Sequence, residues 1–164
     1  MKRSVRKKRA SDASSEGEFR RASACWDRGD LKRAFAIFQS LAKRGDVGAQ
    51  LNVGYFFDQG IGVSSNPVKA LYWYRRGYRK GDPSCANNIA TIYRDRGDLK
   101  RAVAWFLKAI RLGDDSGALE LAKIYLDQNQ YRNRVVGYLT RVSRSENVTE
   151  SAKNEAARLL KRLT

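Results

Sequence analysis

The stretch Arg28-Gly29-Asp30-Leu31-Lys32-Arg33-Ala34 recurs letter for letter at Arg96-Gly97-Asp98-Leu99-Lys100-Arg101-Ala102, 68 residues further on. Recurrence at that distance, two units of about 34 residues, marks a stack of helix pairs. The physics of the repeated core is local. Gly accepts the left-handed backbone conformation that ends a helix. The Asp beside it accepts backbone N–H bonds at the start of the next helix. A Gly-Asp pair is therefore a stop followed by a start.

The pair occurs at Gly29-Asp30, Gly45-Asp46, Gly81-Asp82, Gly97-Asp98 and Gly113-Asp114, and three of the four intervals are 16 residues. The long interval holds a different start. Asn66 can cap a helix and Pro67 fits its first turn. Before it lies a longer loop, Gly60-Ile61-Gly62-Val63-Ser64-Ser65. Asp82-Pro83 uses the same device. These signals predict helices over 17–28, 31–44, 47–59, 67–80, 83–96, 99–112, 115–128, 131–143 and about 149–162.

The apolar pattern agrees with this frame. In the second helix of each pair, Ala34, Ala70 and Ala102 share one position. Phe38, Tyr74 and Phe106 follow four residues later, and Leu41, Gly77 and Ala109 seven later. That is an i, i+4, i+7 stripe, one buried face per helix. The first helices align on Val53, Ile89 and Leu121, then on the small residues Gly54, Ala90 and Ala122, then on Phe57, Tyr93 and Tyr125. Phe19, Ala22, Ser23 and Trp26 give a weaker version at the start. Val135, Tyr138, Leu139 and Val142 keep a degenerate stripe near the end. The fold class read from this is all-α, about four helix–turn–helix repeats with a C-terminal capping helix.

The run from Ala49 to Val63 (AQLNVGYFFDQGIGV), continued by Lys69-Ala70-Leu71-Tyr72-Trp73-Tyr74-Arg75-Arg76 and Lys80-Gly81-Asp82, resembles the Sel1-like repeat. The Gly-Ile-Gly-Val loop and the Ala-Leu-x-Trp-Tyr run carry the resemblance. The flanking units, with short Gly-Asp turns, look more like tetratricopeptide units. The resemblance covers roughly residues 17–143. It implies a right-handed α-solenoid that serves as an adaptor for protein–protein contacts, each unit packing only on its neighbours.

The resemblance also implies that first helices line a concave groove. Residues left over from packing then become candidates for partner binding. These are Asn52, Tyr55 and Asp58 in one unit, Asn87, Asn88, Thr91, Arg94 and Asp95 in the next, and Glu120 and Lys123 after that. Asn52 and Asn88 stand at matching positions, and each amide offers a donor and an acceptor to a peptide backbone. The Lys/Asn/Arg set with which some tetratricopeptide proteins grip a C-terminal carboxylate is not reproduced. Leu51 and Asn87 stand where its first lysine belongs, and Tyr55 and Thr91 where its first asparagine does.

Composition bounds the chemistry. The chain has 164 residues, 33 basic against 17 acidic, a net charge of +16 and no histidine. Such a surface attracts polyanions or acidic partners. Without histidine the commonest general base and metal ligand are missing. Cys25 and Cys85 are far apart, outside any CxxC pair, and read as small buried residues in a reducing compartment. Gly60-Ile61-Gly62 lacks the Lys and strand context of a phosphate-binding loop. No enzyme activity, cofactor or metal is expected.

A second candidate surface follows the charge. Residues 2–9 hold Lys2, Arg3, Arg6, Lys7, Lys8 and Arg9 with no acid, and Ser11 to Ser15 lacks apolar bulk. Residues 1–16 thus read as a basic disordered tail, before repeats over 17–143 and a cap over 144–164. Arg75, Arg76, Arg79 and Lys80 add to the charge on the outer faces of the second helices. The leading expectation is a scaffold that binds a protein or peptide partner. The alternative is association with nucleic acid, or with an acidic partner, through tail and outer face. No apolar run approaches the ~20 residues of a membrane span, and the expected compartment is the cytoplasm, or the nucleus in a eukaryote. The Arg-Gly-Asp triplets at Arg28, Arg44 and Arg96 fall at helix boundaries, where Asp is engaged as a cap, and do not read as adhesion motifs.

Overall fold

The computed structural model describes the backbone of residues 2–129 and 131–163, and the side chains of residues 14–129 and 131–163. Among the described residues it is all-helical, with nine helices in two compact units, Met1–Lys80 and Gly81–Thr164. The first unit holds α1 (Lys2–Asp27), α2 (Leu31–Arg44), α3 (Val47–Gln59) and α4 (Pro67–Tyr78). The second holds α5 (Pro83–Asp95), α6 (Leu99–Arg111), α7 (Ser116–Asp127), α8 (Arg132–Arg144) and α9 (Glu150–Leu163). Within each unit consecutive helices pack on one another, and α9 also touches α7.

The stop–start device works as the chemistry requires. Gly45 has φ +100°, and its N–H and that of Asp46 return to the carbonyls of Ala42 and Leu41. The Asp46 carboxylate then accepts from Ala49 N–H at 2.7 Å. Asp30, Asn66, Asp82 and Asp98 cap in the same way, on Arg33, Lys69, Cys85 and Arg101. The last pair deviates. Asp114 accepts from Ser116 N–H, and the cap position passes to Asp115, whose carboxylate pairs with Arg141 of α8 instead of closing α7.

Helix bounds fall within two residues of those predicted, apart from one. α1 begins at Lys2, not near residue 17. Residues 2–16 contain neither Gly nor Pro, the residues least favourable inside a helix, so nothing local ends the helix once it is formed. The side chains of Lys2, Arg3, Arg6, Lys7, Lys8 and Arg9, predicted to meet polyanions, lie outside the described residues.

The two units fill their cores differently. In the first, the Phe56 ring is wholly buried and meets Trp26 at 4.5 Å, Phe35 at 5.5 Å and Phe38 at 6.1 Å between centroids. Tilted and edge-on aromatic pairs add about 0.5–1.5 kcal/mol each beyond their burial. Gly54 lies under the Tyr74 ring, where a Cβ would come within 2.5 Å of ring carbons. That contact sets how closely α3 and α4 approach. In the second unit Ile89, Phe106, Leu121, Val135, Leu139 and Val142 are fully buried, and α9 adds Ala156. Cys25 and Cys85 are both buried.

Candidate partner-binding face

In the first unit the leftover face of α1 and α3 is aromatic. Tyr55 is 39% exposed and lies nearly parallel to Trp26, 5.9 Å away with 22° between the planes. Trp26 is held edge-on by Phe56 and Phe38 from below. Beside it a cavity of about 210 Å³ is lined by Ser23, Trp26, Asp27, Phe38 and Asn52. Asn52 thus sits at the wall of a shallow recess floored by rings, with the Ser23 hydroxyl donating to its own helix at Phe19 O. Asp58, predicted for the same face, is half-buried and accepts a long hydrogen bond from Tyr74 Oη.

Beside Asn52 and Tyr55, expected on this face from the sequence, stand Trp26 and Ser23, which the apolar pattern assigns to packing, and Asp27, which it leaves unassigned. The signal was present. In the register of the 68-residue recurrence, Trp26 falls on the position of Arg94 and Ser23 on that of Thr91, both already assigned to the groove.

In the second unit the corresponding face is ionic and largely self-satisfied. The Arg94 guanidinium pairs with Asp95 at 2.9 Å and with Glu120 across on α7. Lys123 bridges Glu120 at 3.2 Å and Glu155 of α9 at 2.9 Å. Partial burial alone would lower both cationic pKa values. The hydrogen bonds and charges of Asp95 and Glu120 hold Arg94 above its ordinary value, and those of Glu155 and Glu120 do so for Lys123. Burial raises the Tyr125 phenol.

The asparagines and threonine of α5 divide. Asn88 is half-buried. Thr91 Oγ1 donates back to Asn87 O at 3.2 Å. The Asn87 amide oxygen is buried with no hydrogen-bond partner, near the Gly117 backbone of α7, where an added Cβ would come within 3.2 Å of it. It therefore faces helix packing rather than an incoming chain.

The cations of the outer face are more structured than a solvated helix surface. Arg75 and Arg79 are exposed. Arg76 lies over the rings of Tyr72 and Trp73, and Lys80 Nζ donates to Gly45 O at 2.7 Å, tying the end of α4 to that of α2. Among the described residues no group of three or more His, Cys, Asp or Glu could hold a metal ion, and no helix is long and apolar enough to cross a membrane.

Capped helices that pack consecutively on one another define an all-α helical-repeat protein. The chain carries repeats of the Sel1 and tetratricopeptide kinds: the Sel1 repeat matches residues 27–46 and 47–82, and a tetratricopeptide repeat matches 84–113. Its fold is that of helical-repeat solenoids. It is similar to a Sel1 repeat protein from Oxalobacter formigenes, with TM-score 0.71 and 21% identity over 90% of this chain and 63% of that one. It is also similar to c5321, a protective antigen of uropathogenic Escherichia coli with an SLR fold, with TM-score 0.70 and 23% identity over 80% of this chain and 31% of that one. In sequence it is 30% identical over 67 residues to the ERAD-associated E3 ubiquitin-protein ligase component HRD3A of Arabidopsis thaliana, which is 40% of this chain and 10% of that protein. The chain thus spans a tenth of that relative and less than two thirds of both solved proteins.

Proposed function

We propose that the chain is a non-enzymatic scaffold that binds a segment of a partner protein on its first-helix faces, with the α1–α3 face of the first unit as the principal contact. The observation that carries this reading is the Trp26–Tyr55 stack beside the recess at Asn52. Trp and Tyr on rigid helices are the residues that most often dominate binding energy. The recess, at about 210 Å³, is smaller than the ~300 Å³ at which small-molecule sites begin. It suits one inserted side chain better than a metabolite. Asn88 and Thr91 extend the reading to the second unit, where Arg94 and Lys123 act mainly through their ion pairs. A relative whose name makes it a component of a ligase assembly fits the same role. On this reading the protein works in the cytoplasm, where its two buried thiols stay reduced.

Affinity purification of the full chain from its native cell, with nuclease treatment, supplies the partner. The double variant Asn52→Ala/Tyr55→Ala should remain folded by circular dichroism and weaken that partner by at least about tenfold, as loss of an interface anchor does. A folded double variant that binds as well as the parent overturns the assignment. The competing reading, nucleic-acid association, draws on the +16 charge. It predicts binding that is lost on nuclease treatment and falls steeply with salt.

A further inference from the structure

We propose that the outer face of α4 is a second docking surface, built for an acidic peptide segment that presents a carboxylate next to an apolar side chain. It is separate from the α1–α3 face. The residues Val68, Tyr72, Arg75, Arg76 and Arg79 follow one another at helical spacing along one side of α4 and just past its end, a strip about 16 Å long at 1.5 Å per residue. Val68 is 74% exposed and Tyr72 52%. α4 carries Lys69, Arg75 and Arg76 and no Asp or Glu.

The centre of the strip is a prepared guanidinium. Arg76 Nη1 donates to Tyr72 Oη at 3.0 Å, and its Cζ stands 5.8 Å from the Tyr72 ring centroid and 5.3 Å from that of Trp73. Trp73 is nearly buried and lies edge-on to Tyr72 at 5.2 Å. Two rings and one hydrogen bond fix the guanidinium plane and remove part of its water. Its remaining N–H groups form a fork that matches a carboxylate. A fixed, partly desolvated fork loses little side-chain entropy on pairing.

The strip favours a peptide over a nucleic acid. Strand binding uses several exposed aromatic faces on which successive bases stack, and on α4 only Tyr72 is exposed to that degree. Val68 has no role toward a phosphate backbone, whereas an aliphatic side chain beside a carboxylate uses Val68, Tyr72 and Arg76 together.

The repeat supplies an internal comparison. In α6 the same positions hold Trp105 and Lys108, with the ammonium 3.8 Å from the ring centroid. There Ala104 replaces Tyr72 and Leu107 replaces Arg75. The supported cation is kept, but the exposed aromatic shelf and the fork are gone.

The test is selection of ten-residue random peptides displayed against the full chain, followed by affinity measurement on synthesised winners at physiological salt. Winners should combine Asp or Glu with Leu, Ile or Phe. Their affinity should fall about tenfold with Arg76→Gln and about fivefold with Tyr72→Ala, magnitudes of a single interface anchor. Arg76→Lys should recover only part of the loss. Lys108→Gln, and Asn52→Ala/Tyr55→Ala, should change it less than about twofold, as contacts outside an interface do. Winners without acids would overturn the proposal. So would equal losses from Arg76→Gln and Lys108→Gln, or dependence on Asn52 and Tyr55 but not Arg76. An Arg76-dependent oligo-dT that outcompetes the peptides would assign the face to nucleic acid instead.

Discussion

The first unit and the second share a backbone plan and differ in what covers it. At one repeat position the first unit has Trp26, packed on Phe38 and Phe56 and stacked on Tyr55. The second has Arg94, locked between Asp95 and Glu120. One face is apolar and open, so burying it against a partner gains free energy. The other has already satisfied its charges internally, so a partner would have to break ion pairs to use it. The caps and the helix-to-helix contacts are therefore what the repeat conserves in form, while recognition chemistry is free to diverge between copies.

The sharpest way to break this comparison is in the cores. Phe56→Ala should destabilise the first unit by about 3–5 kcal/mol, the range for removing a buried aromatic. Ile92, its counterpart in the second unit, is slightly exposed, and Ile92→Ala should cost about 2–4 kcal/mol on the same scale. Denaturant unfolding followed by tryptophan fluorescence and far-ultraviolet circular dichroism measures both. Equal costs would mean that the aromatic cluster adds nothing special to the first unit.

A smaller effect separates the two units at the helix-pair contact. Gly54→Ala drives a Cβ into the Tyr74 ring and should cost about 1–3 kcal/mol, as overpacking does. The reciprocal Ala90→Gly in the second unit should cost about 1 kcal/mol, mainly through helix propensity. A neutral Gly54→Ala would show that α3 and α4 can slide apart freely.

The smallest effect is the pH response of the ionic face. Lys123 has its folded pKa raised above the ordinary value by Glu155 and Glu120. Its contribution is therefore complete at and below the ordinary lysine pKa of about 10.4, and is lost as pH rises through the folded value. Burial raises Tyr125 as well, so its neutral form contributes stability in the same sense. Thermal melts between about pH 9 and 11.5, spanning these reference values, should fall with pH. The fall should be shallower in Lys123→Gln, and shallower again with Tyr125→Phe. An unchanged slope would mean that the Glu155–Lys123–Glu120 bridge leaves α9 docking unaffected.

Much of the fold was legible because its signals are local. Gly45-Asp46 closes one helix and opens another within two residues, and the Phe38, Tyr74, Phe106 position marks the buried stripe without reference to anything distant. The start of α1 was misread because a charged, Ser-rich segment without apolar bulk gives no core signal, even though it contains no residue that stops a helix. The candidate face was half legible. Tyr55 and Asn52 stand out once the packing positions are removed. Trp26 was hidden because an aromatic next to Ala22 and Ser23 reads as core, and only the stack on Tyr55 exposes its second role. The exchange at Asp114-Asp115 was not legible either, since it depends on Arg141 arriving from α8.

At a Gly-Asp pair, the glycine that stops one helix and the aspartate that starts the next finish their work within a few residues of each other. A coding segment cut between two such pairs, Asp82 through Gly113 for example, is therefore a portable cassette. It carries its own opening cap and its own closing turn. Copying or deleting it in frame leaves both junctions chemically identical to those already in the chain. Lineages of such proteins can thus change length by unequal recombination without first inventing a new joint.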